Sequence, residues 1–326
     1  MKKILFATTA AGAIAVAGMA SAQGVTVFGD ARLGLGYNIT NSGGVLLDDD
    51  GNTDDDVRAI SRVRFGVRMT GETPTGITFG ATIRADNALG GQGGAEGQAA
   101  GNVFASGALG TLTYGDTSSA HQQHTGDLPD VGLTGLGFFN ELAFLGNRRH
   151  NVGIIREDRD GIERIIGMRS VRPIVRYDYD FAGFSVSAST DRDLLDIGVG
   201  ASFTGDFGIG SFTVGGGYYD DDENEQYSAS IAGTFAGFGG NVVYLRERGD
   251  AGDDTLGAGL TTTVADFGVN AFYNRALRDG DIFDDGDDAF GVGLSYDLGG
   301  GASIRTGVVR TYGSHTVADF GIAMSF

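Results

Sequence analysis

The sequence has no cysteine and no tryptophan, only three prolines, and no lysine beyond Lys2 and Lys3. Each shortage excludes something. Without cysteine there is no disulfide framework, no thiol nucleophile and no thiolate metal site. Three prolines beside 58 glycines set the chain apart from Pro-rich disordered segments, and no strict Gly triplet marks a collagen. Proline cannot donate to a ladder and is kept out of sheet interiors, so this balance fits a chain in which nearly every backbone N–H must find a partner.

Positive charge is scarce as well. Past residue 22 the basic groups number 21, the total of 23 less the two lysines, all of them arginine and set against 42 acidic groups. A net charge near −21 repels phosphate backbones and excludes nucleic acid as a partner. The long apolar run is confined to the start, MKKILFATTAAGAIAVAGMASAQ, where two lysines precede Ile4–Met19 and small residues follow at Ala20-Ser21-Ala22. That is the pattern of a secretory signal peptide; the run is Ala/Gly-rich and short of the roughly 20 residues of a spanning helix. The expectation is a leader over 1–22 and one domain over 23–326, outside the cytoplasm.

What fills the domain is alternation. In SRVRFGVRM (61–69), Val63, Phe65, Val67 and Met69 share one strand face, and Arg62, Arg64 and Arg68 share the other. The same parity separates Val25, Val27, Leu33 and Leu35 from Asp30 and Arg32, and Ile77, Phe79 and Ile83 from Thr82 and Arg84. Periodicity predicts sixteen strands, over 25–37, 59–71, 77–87, 101–108, 110–116, 172–181, 184–191, 194–204, 211–220, 226–235, 239–248, 255–265, 268–278, 288–298, 302–312 and 316–326. Helical period is confined to 117–171.

Connections after even-numbered strands are short and Gly-rich, such as AG (182–183) and AGFGG (236–240). Those after odd-numbered strands are longer or acidic, including DDDGNTDDD (48–56), GGQGGAEG (90–97), 117–171 and DGDIFDDGDD (279–288). A soluble sandwich also alternates, but this many strands would make a large one. Two unlike rims, an even count and ~10-residue strands point to an all-β, transmembrane antiparallel β-barrel with short periplasmic turns and long acidic extracellular loops. Open edges in hydrocarbon would strand backbone donors and acceptors, so such a sheet must close. One face of 61–69 then meets lipid and the other meets water.

The stretches GDAR (29–32), TYGD (113–116), SYDLGGGASI (295–304) and VADFGIAMSF (317–326) resemble the Gram-negative general-diffusion porins of the Rhodobacter type. The resemblance runs the length of the domain and is weakest in the central loop. It implies a homotrimer in the outer membrane, in contact with lipid and lipopolysaccharide, passing small polar solutes, with Phe326 as an assembly signal. It also implies an eyelet in which loop 117–171 folds inward and sets carboxylates against a basic wall. Residue by residue, the wall would be Arg32, Arg62, Arg64, Arg68 and Arg84. Asp127 lies in a matching GDL, and Asp130 and Glu141 are added as neighbours. The arginines Arg148, Arg149, Arg156, Arg159, Arg164, Arg169 and Arg172 depart from that pattern by making the loop's end basic.

A water-filled channel for passive diffusion is therefore expected, against a substrate-specific channel or a plugged structural or adhesion barrel. No cofactor is required, although the acidic loops offer oxygen ligands for structural Ca2+ without the spacing of an EF-hand. In the absence of Trp, the interfacial girdles would fall to Phe and to Tyr37, Tyr177, Tyr179, Tyr218, Tyr219, Tyr273, Tyr296 and Tyr312. His121, His124, His150 and His315 lack a nucleophile-elbow context, which argues against an enzyme.

Overall fold

The structure, a computed structural model, describes residues 24–40, 44–46, 56–86, 101–146, 155–157, 163–165, 173–221, 224–248, 254–277 and 288–326. The strands are β1 (Gly24–Tyr37), β2 (Val57–Glu72), β3 (Thr78–Asp86), β4 (Gly101–Gly107), β5 (Gly110–Gly115), β6 (Ile155–Glu157), β7 (Glu163–Ile165), β8 (Ile174–Phe181) and β9 (Phe184–Asp191). They continue as β10 (Ile197–Asp206), β11 (Gly210–Asp220), β12 (Glu225–Phe235), β13 (Phe238–Arg248), β14 (Asp254–Val264), β15 (Phe267–Leu277), β16 (Asp288–Gly299), β17 (Ala302–Arg310) and β18 (Thr316–Ser325). All but β6 and β7 form one closed antiparallel barrel of sixteen strands, each paired with its neighbours in sequence order. The seam joins β1 to β18 with Leu33 opposite Ile322, and Phe326 exchanges backbone hydrogen bonds with Gly29 at 2.9 and 3.2 Å. Strands β6 and β7 form a separate two-stranded ribbon in which Arg156 faces Arg164. Arg148, Arg149, Arg159, Arg169 and Arg172 lie outside the described residues, as do His150 and most of the acidic runs.

The two faces separate as alternation demands. Val27, Phe65, Leu260 and Leu294 are 60%, 56%, 50% and 50% exposed on the outside, a density of bare apolar side chains that no water-facing surface carries. Arg62 and Asp30, one residue out of phase with them, meet on the inside at 2.6 Å. Pro74 and Pro129 fall in connections and Pro173 immediately precedes β8, so no proline interrupts the ladder.

One rim consists of tight turns, at 73–77, 108–109, 182–183, 207–209, 236–237, 265–266 and 300–301. The two-residue turns Ala182-Gly183 and Ala236-Gly237 hold both residues at positive φ, with the alanines at 48° and 50°. That is the hairpin twist which suits right-handed strands, and it is why glycine stands second in each. At the same rim Phe181, Phe184, Phe203 and Phe212 form a chain of rings with centroids 4.7–6.0 Å apart, and Phe267 lies 4.8 Å from Tyr296. At the other rim, the connections 192–196 and 311–315 are five residues each. Asp191 Oδ1 accepts from the backbone N–H groups of Leu195 at 2.9 Å and Asp196 at 3.3 Å, a turn that delays the start of β10 to Ile197.

The lipid assignment makes adjacent residues behave oppositely. Leu260→Arg, on the outer face of β14, should destabilise the barrel by about 2–4 kcal/mol. Thr261→Arg, on the inner face, should cost much less. Urea titration of refolded protein in lipid vesicles measures both, and equal losses would refute the assignment of faces.

Candidate pore constriction

The segment after β5 enters the barrel. It begins with α1 (Ala120–Thr125), runs along the inner wall through residues 126–135, turns at a 3-10 segment Leu136–Phe138, and returns through 139–146. The neck of this loop is closed by Asp127, whose carboxylate accepts from Leu142 N at 2.9 Å and Gln122 Nε2 at 3.1 Å. Leu128 and Asn140 add two bonds of 3.1 Å across it.

A glycine track on the wall makes room for the loop. An added Cβ would meet Ala120 O at 2.4 Å from Gly200, His121 at 2.6 Å from Gly217, and the Leu128 side chain at 2.9 Å from Gly257. From Gly293 and Gly307 it would meet Gly132 at 2.9 and 2.7 Å, and from Gly34 it would meet Leu133 at 2.7 Å. At Gly200, Gly217, Gly293 and Gly307 loop backbone lies directly against wall backbone, an approach that requires the absence of Cβ.

The loop's carbonyls find partners on the same wall. Gln226 Nε2 donates to Ala143 O at 2.8 Å, Asn241 Nδ2 to Asp127 O at 3.0 Å, Asn270 Nδ2 to Asp130 O at 3.0 Å and Asn274 Nδ2 to Phe139 O at 3.2 Å. At the far end Asp319, 4% exposed, accepts from Leu133 N, Thr134 N and Thr134 Oγ1 at 2.7–2.9 Å. Apolar loop residues Leu128, Val131, Leu133, Leu136, Phe139, Leu142 and Phe144 bury against inward-facing Val243, Leu245, Phe272, Val309 and Val317. A small hydrophobic core thus sits inside an otherwise polar tube.

The remaining wall, β1 to β5, carries the arginines. Arg62 bonds Asp30 at 2.6 Å and Arg64 lies 3.9 Å from the same carboxylate, so one aspartate serves two guanidiniums. Arg84 is opposite Gly66 and one step from that pair along the inner face, with Arg68 further toward the tight-turn rim. Arg68 is exposed to the lumen and makes no ion pair or hydrogen bond with the described residues. Arg32 is placed differently: it is 4% exposed beneath the loop, and its Nη1 donates to Leu133 O at 3.4 Å. Asp130 is exposed to the lumen within the fields of Arg305 and Arg32, and Glu141 is partly exposed beyond the neck. Asp127 is spent largely on the neck. Two of the expected girdle tyrosines are inside instead: Tyr219 is fully buried, donating to Asp196 at 2.6 Å, and Tyr312 packs edge-on against Phe139.

Residues that sequence reasoning missed are the loop's seat: Asp319, Gln226, Asn241, Asn270, Asn274 and the glycines, together with Arg305. Their signal was present as small and amide residues at inward parity, where a fully wet wall would carry charge.

A family model described as Gram-negative porin matches residues 7–316. The chain belongs to the Gram-negative porin family. A porin of Rhodobacter capsulatus is 29% identical over 339 residues, covering 93% of this chain and 100% of its own. A porin refined at 1.8 Å superposes with a TM-score of 0.67 at 26% identity, over 93% of this chain and 100% of the other. A triple mutant of Rhodopseudomonas blastica porin shares the fold at a TM-score of 0.58 and 18% identity, with 93% and 100% covered. This porin is accordingly an outer-membrane channel for passive diffusion.

Two predictions follow from the porin's loop seat. Asp319→Ala removes the acceptor of three bonds and should give a channel with larger, noisier single-channel conductance; an unchanged trace would mean the clamp does not hold the loop. His121 is fully buried, and because Gln226 Oε1 can only accept, His121 Nε2 carries the proton at 3.0 Å while Nδ1 accepts from Ser119. Burial lowers its pKa from 6.5 to about 4. Between those values the released loop binds a proton that the docked loop excludes, so docking weakens as pH falls from about 6.5 and levels off below about 4. The full effect is on the order of 3 kcal/mol. Conductance noise should rise across that window in the native protein and not in His121→Phe.

Proposed function

We propose that solute selection occurs where the inward loop narrows the barrel, with Asp130 and Glu141 on the loop side and Arg62, Arg64, Arg68 and Arg84 on the opposite wall. The observation that carries this reading is the loop's one-sided placement: it is seated against β9–β18 and leaves the arginine-bearing strands β2 and β3 open. Charges of opposite sign across a wet, narrow gap create a transverse field that orients dipolar solutes and slows bulky apolar ones. Arg32 belongs to this site as support, holding Leu133 from below.

Export through a cleaved leader over residues 1–22 and assembly as a homotrimer complete the reading, both supported by the family relationship. The acidic outer loops would meet lipopolysaccharide phosphates only with divalent cations between them, since bare carboxylates repel phosphate. Among the described residues no cluster of three or more His, Asp or Glu has metal-binding spacing, and the runs 47–55 and 278–287 lie outside them.

The test is electrical. Replacing Arg62, Arg64 and Arg68 together by Ser should shift the reversal potential under a KCl gradient toward cation preference. A reversal potential equal to that of the native channel would remove these side chains from the selecting site.

A further inference from the structure

On the wall from β1 to β5, away from the loop's core, two phenylalanines break the polarity of the inner face. Phe28 shares its parity with Asp30 and Arg32, and Phe104 shares its parity with Asn102 and Ser106. Each covers a neighbouring glycine: a Cβ built on Gly66 would sit 2.3 Å from the Phe28 ring, and one built on Gly80 would sit 2.7 Å from the Phe104 ring. Both rings are partly exposed and neither belongs to the core that seats the loop. A porin wall that needed only solvation would carry polar side chains here, and the loop's own core lies on the other side of the lumen.

The register sets what stands between the rings. Gly66 pairs with Arg84, Arg68 with Thr82, and Thr70 with Gly80. Descending toward the tight-turn rim the wall therefore presents a ring beside Arg84, then Arg68, then a second ring. Each ring is two residues from the Arg68 row, or about 7 Å along the strand. The exposed Arg68, with no ion pair or hydrogen bond to the described residues, stands in the row between the two aromatic rings.

We propose that Phe28, Arg68 and Phe104 form a binding subsite for organic anions with a flat aromatic face, stacking on a ring while the carboxylate meets the guanidinium. Resting on the porin reading, this makes the channel selective among small anions of equal charge. Aliphatic carboxylates of similar size gain the guanidinium alone.

Single-channel recording in KCl with added sodium benzoate, acetate or cyclohexanecarboxylate tests it, and conductance in KCl alone establishes the porin reading separately. In the native channel benzoate should halve the current at roughly a fivefold or greater lower concentration than acetate, the size of an aromatic stacking contribution, with cyclohexanecarboxylate between them. Phe28→Leu and Phe104→Leu, which keep apolar bulk over the glycines, should bring benzoate down to cyclohexanecarboxylate. Arg68→Gln should weaken block by all three. Equal block by benzoate and acetate in the native channel would overturn the proposal without any variant, as would a benzoate preference that survives both leucine substitutions.

Discussion

A backbone amide or carbonyl facing hydrocarbon has no water to bond, and the whole architecture follows from that penalty. Closure by the β1–β18 seam removes the last unpaired edge, with Phe326 and Gly29 bonding each other where the strands meet. The same penalty keeps all three prolines outside the strands. Inside the barrel the rule returns in another form. A loop drawn into the lumen brings its own carbonyls, and the wall answers them with the amides of Gln226, Asn241, Asn270 and Asn274. Lipid and loop thus impose one requirement on the two faces of the same strands.

The barrel was legible in the sequence because strand parity is a local property. The bounds of β9 agree with alternation at both ends, 184–191, and most others agree within one or two residues. The largest difference, at β10, has a local cause: Asp191 caps Leu195 and Asp196, and Leu194 takes a positive φ of 61°, so chain that alternates well enough to extend is turned instead. The constriction was less legible, since it depends on which strands the loop touches. Glycine at 200, 217, 257, 293 and 307 reads as ordinary ladder glycine until the loop lies across it. Tyr219 and Tyr312 have the aromatic chemistry of a girdle, but their parity and neighbours turn them inward to Asp196 and Phe139. Arg32 shares a face with its fellow arginines, and only the position of Leu133 distinguishes it.

Electrostatics and packing divide the lumen between them. On the side of β9–β18 the loop is held by apolar burial, buried amides and the Asp319 clamp, interactions that depend little on salt. On the side of β1–β5 the charges are wet: Asp30 is shared between Arg62 and Arg64, leaving that group of three with one net positive charge. Such a cluster tolerates close guanidiniums because both water and the shared carboxylate screen them.

That division separates two properties of the pore. The position of the loop, and with it the size of the opening, is written in glycines and amides far from the arginine wall. The basic half of the proposed field lies on β2 and β3, where the loop's packing reaches little beyond Arg32 and Gly34 of β1 and Ile60 of β2. The arginines of β2 and β3 can therefore change charge or shape without unseating the loop, whereas a single added methyl at Gly293 or Gly307 presses on loop backbone that has no side chain to yield. On the proposed reading, the side chains that choose among solutes are largely not those that hold the gap, so selectivity can vary at nearly constant bore.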